Sequence, residues 1–167
     1  MVGRGDEAAR PTPEKERART MSQSPVVLEK RLYTATATAS AGRDGRVKSD
    51  DGALDVAVVP PRALGGSGAA GTNPEQLFAA GYAACFHSAL QLTARPRGKD
   101  LGDSSVGAKV SIGKEGEGFG LAVELEVVIP GMPHDEAQEL ADAAHQVCPY
   151  SNATRGNIPV EVTVSDD

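Results

Sequence analysis

Tryptophan is absent from this chain of 167 residues, and aromatic residues make up only 4% of it. Bases that stack on a protein need aromatic side chains, and these are too few to form such a surface. The formal net charge of -6 also opposes binding to a phosphate backbone. We therefore expect no nucleic-acid partner.

Long apolar runs are also missing. No stretch approaches the roughly 18 consecutive apolar residues that cross a bilayer, although 40% hydrophobic residues suffice for a core. We expect no membrane partner. A chain of this length most often forms one domain, which we place at residues 25–167.

Residues 1–24 lack the apolar segment of a secretory leader and are polar, charged and proline-containing. We expect a disordered extension, and both a true start at Met21 and a genuine unstructured tail fit the sequence.

Cysteine occurs only twice. Two cysteines without a leader fit a reducing compartment, so we expect a cytoplasmic protein.

Apolar periodicity predicts an α+β fold with the order β-β-β-α-β-β-α-β and two long helices packed on an antiparallel sheet. Asp44-Gly45 predicts a hairpin after the first strand, so that the chain returns through Val47. The predicted strands are residues 26–39, a segment around 47, 54–58, 106–112, 119–129 and 158–164, and the predicted helices are residues 73–93 and 134–147.

The first long helix carries the sequence NPEQLFAAGYAACFHSAL at residues 73–90. Asn73 is a suitable N-cap, Pro74 suits the first helical position, and Gln76 completes an approximate capping box. Small residues surround Gly81 and let another backbone come close. We expect this helix to carry Cys85 into a tight interface.

The second cysteine, Cys148, follows the second long helix, and Pro149 prevents that helix from continuing smoothly. A lone cysteine is usually a small buried apolar residue, whereas a reactive one needs a nearby cation. Arg43 and Arg155 lie in glycine-flanked turns and are candidate cations, with an ordinary surface position as the alternative for each.

Two further ligand sites are disfavoured. The glycine-rich residues 65–71 lack the Gly-Lys-Ser/Thr that a phosphate loop requires. His87, His134 and His145 are spread over two helices and do not form a set of metal ligands. His145 could instead orient the end of the second helix.

The segments NPEQLFAAGYAACF (73–86) and AHQVCPYSNATRGN (144–157) closely resemble the organic hydroperoxide resistance proteins, the Ohr branch of the OsmC/Ohr superfamily. The resemblance extends over about residues 26–164 and includes the turn at residues 42–45. The segment YSNATRGN favours the Ohr branch over the OsmC branch.

This resemblance implies a thiol peroxidase that reduces organic hydroperoxides to alcohols, with an OsmC-like fold in an intertwined homodimer. It implies that Cys85 is the peroxidatic nucleophile and forms a sulfenic acid, and that Cys148 resolves it to a disulfide. It assigns Arg43 and Glu75 as the polar partners of Cys85. The implied electron donor is a dihydrolipoyl group on a protein, and no bound metal or flavin is required.

Alkyl hydroperoxides are apolar beyond the O–O group, so an apolar pocket would select them over hydrogen peroxide. Four aromatic residues are candidates for its lining, and ordinary core packing is the alternative for each. They are Phe78, Tyr82, Phe86 and Phe119.

Glu75 and Cys85 pose a geometric problem, because on one straight helix they lie about 15 Å apart along the axis and about 80° apart around it. One Arg43 side chain does not comfortably reach both. Three solutions are open: the helix breaks near Gly81, Glu75 belongs to a separate turn, or the partner chain supplies one of the groups.

Two other functions remain open. One is an OsmC-like peroxidase with a broader range of peroxides. The other is a redox-sensing or small-molecule-binding module, in which the two thiols switch conformation without turnover.

Overall fold

The computed structural model of the protein describes residue 25 and residues 27–165, so the predicted disordered extension lies outside the described residues. The chain divides into two compact units, Met1–Thr34 and Ala35–Asp167. Within the first unit the described residues form neither helix nor strand, and Leu32 and Tyr33 are exposed. The single domain at residues 25–167 stays a prediction.

The first sheet contains three antiparallel strands in the order β1-β2-β3. They are β1 (Ala37–Ser40), β2 (Gly45–Ser49) and β3 (Asp55–Val58). The predicted first hairpin is confirmed, and β1 starts later than predicted. Ser49, the last residue of β2, pairs with Ala37, so earlier residues have no strand of this sheet beside them.

Helix α1 (Pro74–Ala94) is continuous over 21 residues. Its predicted start is confirmed, because the Asn73 side chain accepts a hydrogen bond from the backbone amide of Gln76 at 2.9 Å. Tyr82, Phe86 and Leu90 recur every fourth residue and are fully buried. This face therefore forms one side of the core.

The second sheet has the order β4-β5-β6, with β4 (Ser105–Glu115), β5 (Gly118–Val128) and β6 (Val160–Val164). The alternation predicted for β5 is confirmed, since Val123 and Leu125 are buried whereas Glu124 is exposed. Strand β4 pairs antiparallel with β5, but β6 pairs parallel with it. This pair differs from the all-antiparallel expectation.

A helical crossover explains the parallel pair, because the chain passes through α2 (His134–Val147) and α3 (Pro149–Thr154) between β5 and β6. Helix α1 packs on β4 and α2, and α2 also contacts β6. The α+β class and the predicted element order are confirmed, with the short helix α3 as an addition. No helix among the described residues is long and apolar enough to span a bilayer.

Candidate active site

The fold brings the two cysteines together. The Cys148 thiol donates a hydrogen bond to Cys85 Sγ, and the two sulfur atoms are 3.7 Å apart. Both thiols are free; Cys85 is half-buried, whereas Cys148 is fully buried. A disulfide is about 2.05 Å long. The sulfur atoms therefore need to approach by less than 2 Å to become bonded.

Cys148 occupies the junction between two helices. Its amide donates to the Ala144 carbonyl at 2.9 Å, which closes the last turn of α2. Its own carbonyl accepts a hydrogen bond from the backbone amide of Asn152 at 2.9 Å, in the first turn of α3. Pro149 is the first residue of that helix. The backbone of Cys148 is thus held from both sides.

The thiol of Cys85 lies in a mixed environment. Burial raises its pKa above the usual cysteine value, the Tyr150 amide N–H acts to lower it, and the Cys148 thiol raises it further. None of these causes is a cation among the described residues. The described surroundings of Cys85 within one chain therefore favour the thiol over the thiolate.

Arg43 and Glu75 form a bidentate ion pair. The two guanidinium nitrogens donate to the carboxylate oxygens at 2.9 and 2.6 Å. The Arg43 hydrogen bond lowers the pKa of Glu75, while desolvation opposes the shift. Glu75 lies in the first turn of α1, where the helix dipole also favours a carboxylate. The carboxylate thus holds the guanidinium in a fixed orientation.

These contacts form two separate pairs in one chain. Because α1 continues through Gly81 and begins at Pro74, neither a break nor a separate turn brings Glu75 to Cys85. The two positions stay about 15 Å apart along the helix. The structure brings Arg43 to Glu75 and Cys85 to Cys148, and no cation of the described residues is among the groups that shift the pKa of Cys85.

The four predicted pocket residues separate into two groups. Tyr82 and Phe86 are fully buried and present no face to a substrate, which is the core-packing alternative. Phe119 is exposed near the start of β5, in the hairpin that joins it to β4. Phe78 is half-buried, and its ring centroid lies 5.8 Å from that of Tyr150.

Tyr150 is a site residue that the sequence analysis missed. Its backbone amide acts to lower the pKa of Cys85, and its ring centroid lies 5.5 Å from that of Tyr82. A Cβ atom at Gly81 would lie 2.9 Å from Tyr150 Oη. At Gly81 the space left by the small residues of α1 is filled by the Tyr150 side chain of α3, where the sequence analysis expected another backbone. The proximity of Tyr150 to Cys148 in the sequence, two residues apart, was the signal that could have identified Tyr150 as a site residue.

Arg155, the second candidate cation, binds the backbone. Its guanidinium donates to the His145 carbonyl at 2.6 Å and to Asn152 Oδ1 at 2.7 Å. These contacts join the end of α3 to the last turn of α2. Tyr82, Ser151 and His145 form a hydrogen-bonded group, of which the sequence analysis expected only that His145 could orient the end of the second helix.

Comparison with known proteins identifies the family of the chain. Residues 65–163 match the model of the OsmC-like protein family. The organic hydroperoxide resistance protein of Xanthomonas axonopodis pv. citri is 56% identical over 138 residues, which cover 82% of this chain and 97% of that protein. The protein OhrB of Bacillus subtilis is 48% identical over 133 residues, which cover 78% of this chain and 96% of OhrB.

Solved structures agree with these relatives. The crystal structure of an organic hydroperoxide resistance protein from Elizabethkingia anophelis has a TM-score of 0.78 and 56% identity, covering 83% of this chain and 99% of that one. The crystal structure of Bacillus subtilis OhrB has a TM-score of 0.75 and 47% identity, covering 81% of this chain and 100% of that one. The chain therefore belongs to the OsmC/Ohr family.

Proposed function

We propose that this chain is a thiol-dependent peroxidase that reduces organic hydroperoxides to alcohols. The contact between a half-buried Cys85 and a fully buried Cys148, with 3.7 Å between their sulfur atoms, carries the proposal. The accessible thiol can meet a hydroperoxide. The buried thiol can meet only the oxidised Cys85. The names of the relatives, which refer to organic hydroperoxide resistance, support the substrate class.

In the first step, the Cys85 thiolate attacks the terminal oxygen of the hydroperoxide. The O–O bond breaks, Cys85 becomes a sulfenic acid, and the departing alkoxide takes a proton and leaves as the alcohol. An Arg43 guanidinium near the thiol would favour the thiolate and stabilise charge on the departing oxygen.

In the second step, Cys148 attacks the sulfur of the sulfenic acid. The S–S bond forms, the S–O bond breaks, and the hydroxyl group leaves with the Cys148 proton as water. A dihydrolipoyl dithiol then reduces the disulfide by two thiol exchanges and becomes a cyclic disulfide itself. Because the cycle needs reducing conditions, we place it in the cytoplasm; no resident cofactor takes part.

The surroundings of the thiol favour an apolar substrate. Tyr150, whose backbone amide acts on the pKa of Cys85, is 37% exposed, and the half-buried Phe78 packs against its ring. Such a surface can bind the organic group of an alkyl hydroperoxide. Hydrogen peroxide gains nothing from it. We therefore propose a preference for organic hydroperoxides.

We propose that the working unit is an intertwined homodimer. Every residue of β1 is exposed in the single chain, whereas a sheet normally buries one face. A groove of about 520 Å³ lies beside Glu75, with Leu64, Ala79 and Val110 in its walls. A second copy that covers these surfaces could bring its Arg43–Glu75 pair to Cys85, which is the partner-chain solution.

Turnover under a limiting amount of protein tests the proposal. With excess dihydrolipoamide, we expect the wild-type protein to consume many equivalents of cumene hydroperoxide, and hydrogen peroxide much more slowly. The Cys85→Ser protein should consume neither. Similar rates with both peroxides would favour an OsmC-like peroxidase of broader range.

One observation favours the redox-sensor alternative. Burial raises the pKa of Cys85, and a thiol that is mostly protonated reacts slowly with peroxide. A sensor would be oxidised once per protein molecule and would not turn over with dihydrolipoamide. A stoichiometric limit on peroxide consumption would therefore replace the peroxidase proposal with this one.

A further inference from the structure

A chain of buried hydroxyl groups lies between α1 and the Cys148 junction. Tyr82 Oη is 3.0 Å from Ser151 Oγ and 3.2 Å from Thr154 Oγ1. Ser151 Oγ is also 2.8 Å from Nδ1 of His145. Tyr82 and Ser151 are fully buried, and Thr154 is nearly so. Buried hydroxyl groups that lose a partner are costly, so this group specifies one arrangement of α3.

The contacts of Thr154, at one end of this series of hydrogen bonds, indicate which atom donates at each of the other contacts. Thr154 Oγ1 lies 2.9 Å from the Tyr150 carbonyl oxygen and 3.2 Å from the Ser151 carbonyl oxygen, and both oxygens can only accept. With the Thr154 proton directed at these carbonyl oxygens, chiefly at that of Tyr150, the contact with Tyr82 requires the phenol to donate. Ser151 must then donate to Tyr82, since each hydroxyl group carries a single proton. The contact with His145 requires Nδ1–H to donate to Ser151.

The hydrogen bonds thus run in one direction, from the His145 ring to the Tyr150 carbonyl. His145 needs only its neutral form for this, with the proton on Nδ1. Burial and the nearby Arg155 lower the pKa of His145, with Asp142 acting in the opposite direction. The neutral imidazole is therefore the form present at neutral pH.

Tyr150 connects this chain of hydrogen bonds to the thiols. Its carbonyl receives the last hydrogen bond, and its amide acts on Cys85. Cys148 precedes it by two residues, and the Cys148 carbonyl accepts from the Asn152 amide at 2.9 Å. A shift of α3 would therefore move both the amide that faces Cys85 and the sulfur that must attack it.

We propose that Tyr82, Ser151 and His145 are positioning residues that hold Cys148 for attack on the Cys85 sulfenic acid, through hydrogen bonds directed from His145 Nδ1–H to the Tyr150 carbonyl. This inference rests on the proposed peroxidase function. When resolution is slow, a second hydroperoxide converts the sulfenate to a sulfinate and leaves as another alcohol molecule. The ratio of disulfide to sulfinate therefore measures how well Cys148 is held.

Tyr82→Phe tests the proposal because it removes one oxygen atom and keeps the ring. A misplacement of about 1 Å can slow a reaction by about 100-fold, so we expect disulfide formation to slow by at least about tenfold. The first oxidation of Cys85 should slow much less than disulfide formation, since only the second step requires the Cys148 sulfur to reach Cys85. Intact mass after a pulse of excess cumene hydroperoxide separates loss of two hydrogens from gain of two oxygens.

Thr163→Val is the matched control. Thr163 is an exposed residue of β6, and its hydroxyl donates to the Leu125 carbonyl at 3.4 Å, outside the hydrogen-bonded group of Tyr82, Ser151 and His145. This variant should partition between disulfide and sulfinate as the wild type does. Ser151→Ala breaks the same directed chain at its next member and should raise the sulfinate fraction as Tyr82→Phe does, so either variant suffices if the other does not fold.

Nitrogen NMR of the wild-type histidine rings provides a test that needs no peroxide, with His145 assigned through His145→Asn. We expect its proton on Nδ1. A proton on Nε2, or wild-type partition in both folded variants, overturns the positioning role. If the wild-type protein shows no oxidation of Cys85 at all, the proposed function fails, while the position of the ring proton still tests the directed hydrogen bonds.

Discussion

Gly81 leaves the space that Tyr150 occupies: a Cβ atom at this position of α1 would lie 2.9 Å from Tyr150 Oη and 3.4 Å from two ring carbons. The rings of Tyr82 and Phe78 complete the surroundings of Tyr150. A mid-helix glycine costs about 1 kcal/mol relative to alanine. In this chain that cost accompanies the close packing of the Tyr150 side chain of α3 against α1.

Gly81→Ala should therefore separate stability from chemistry. The gain in helix propensity offsets the crowding at Tyr150, so we expect the free energy of unfolding to change by less than about 1 kcal/mol. Disulfide formation should slow severalfold because α3 is displaced. Urea unfolding and single-turnover oxidation measure the two quantities. Tyr150→Phe in the Gly81→Ala background relieves the shortest contact, and failure to recover any of the rate would contradict this explanation.

Cys148→Ser removes the proposed resolving thiol. The protein should still form the Cys85 sulfenic acid at close to the wild-type rate, because Cys148 is buried and does not meet the peroxide. It should then lose activity through sulfinate formation within a few turnovers. A dimedone adduct detected by mass spectrometry would report the trapped sulfenic acid. Sustained turnover without sulfinate in this variant would be incompatible with the assigned role.

The source of the cation at Cys85 can be tested with mixed dimers. One chain carries Cys85→Ser and the other Arg43→Ala, so that neither homodimer has an intact site. If Arg43 acts across the interface, the mixed dimer regains about half of the wild-type activity, because one of its two sites combines an intact thiol with an intact guanidinium. An inactive mixed dimer would show that both groups come from one chain.

The pH dependence of Cys85 alkylation provides a related test. Without a cation, burial raises the pKa of the thiol above its usual value near 8.5. The thiolate is the reactive form, so the rate of Cys85 alkylation in the Arg43→Ala variant should keep increasing with pH above about pH 8.5. The wild-type protein should reach its maximum rate of Cys85 alkylation at lower pH. Identical profiles would mean that Arg43 does not act on the thiol.

His145 should contribute to stability in a defined pH window. Burial and Arg155 lower its pKa, so below about pH 6.5 the unfolded chain binds a proton that the folded chain binds only at lower pH. The contribution of neutral His145 to the free energy of unfolding is complete above about pH 6.5, and it is lost as the pH falls through the pKa of His145 in the folded chain. Urea unfolding between about pH 7.5 and about pH 5.5 should show a steeper loss in the wild type than in His145→Asn. Equal slopes would contradict the assignment.

The N-cap of α1 offers a prediction about stability alone. Asn73→Ala removes the hydrogen bond to the Gln76 amide and should cost about 1 kcal/mol in the free energy of unfolding. Because Cys85 lies several turns away, the rate of disulfide formation should stay unchanged. Ser88→Ala is a suitable control, since its hydroxyl donates only to the Ala84 carbonyl on the same helix. A larger effect in the control would remove the special role of the cap.

Local chemistry made much of the fold predictable. The cap at Asn73 and the alternation at Leu125 depend on neighbouring residues, so both could be read directly from the sequence. The parallel pairing of β6 with β5 could not be read, because periodicity shows which face is buried and not the direction of the neighbouring strand. The short helix α3 was hidden for a similar reason, since Pro149 marks both the end of α2 and the start of another helix.

The candidate site was predictable in its residue types and less so in its contacts. The two cysteine motifs identified Cys85 and Cys148, but their 3.7 Å separation depends on how α3 packs on α1. The mismatch between Glu75 and Cys85 was visible from helix geometry alone. The roles of Tyr150 and Ser151 were not visible, because each depends on atoms far away in the chain.

Single-turnover oxidation of the reduced wild-type protein tests the central claim most directly. The protein is mixed with equimolar cumene hydroperoxide, in parallel with hydrogen peroxide, and intact mass is followed over time. We expect rapid loss of two hydrogens with the organic hydroperoxide, much slower loss with hydrogen peroxide, and full reversal by dihydrolipoamide. No rapid change of mass with cumene hydroperoxide, or a disulfide that dihydrolipoamide does not reduce, would contradict a peroxidase cycle that passes through Cys85 and Cys148.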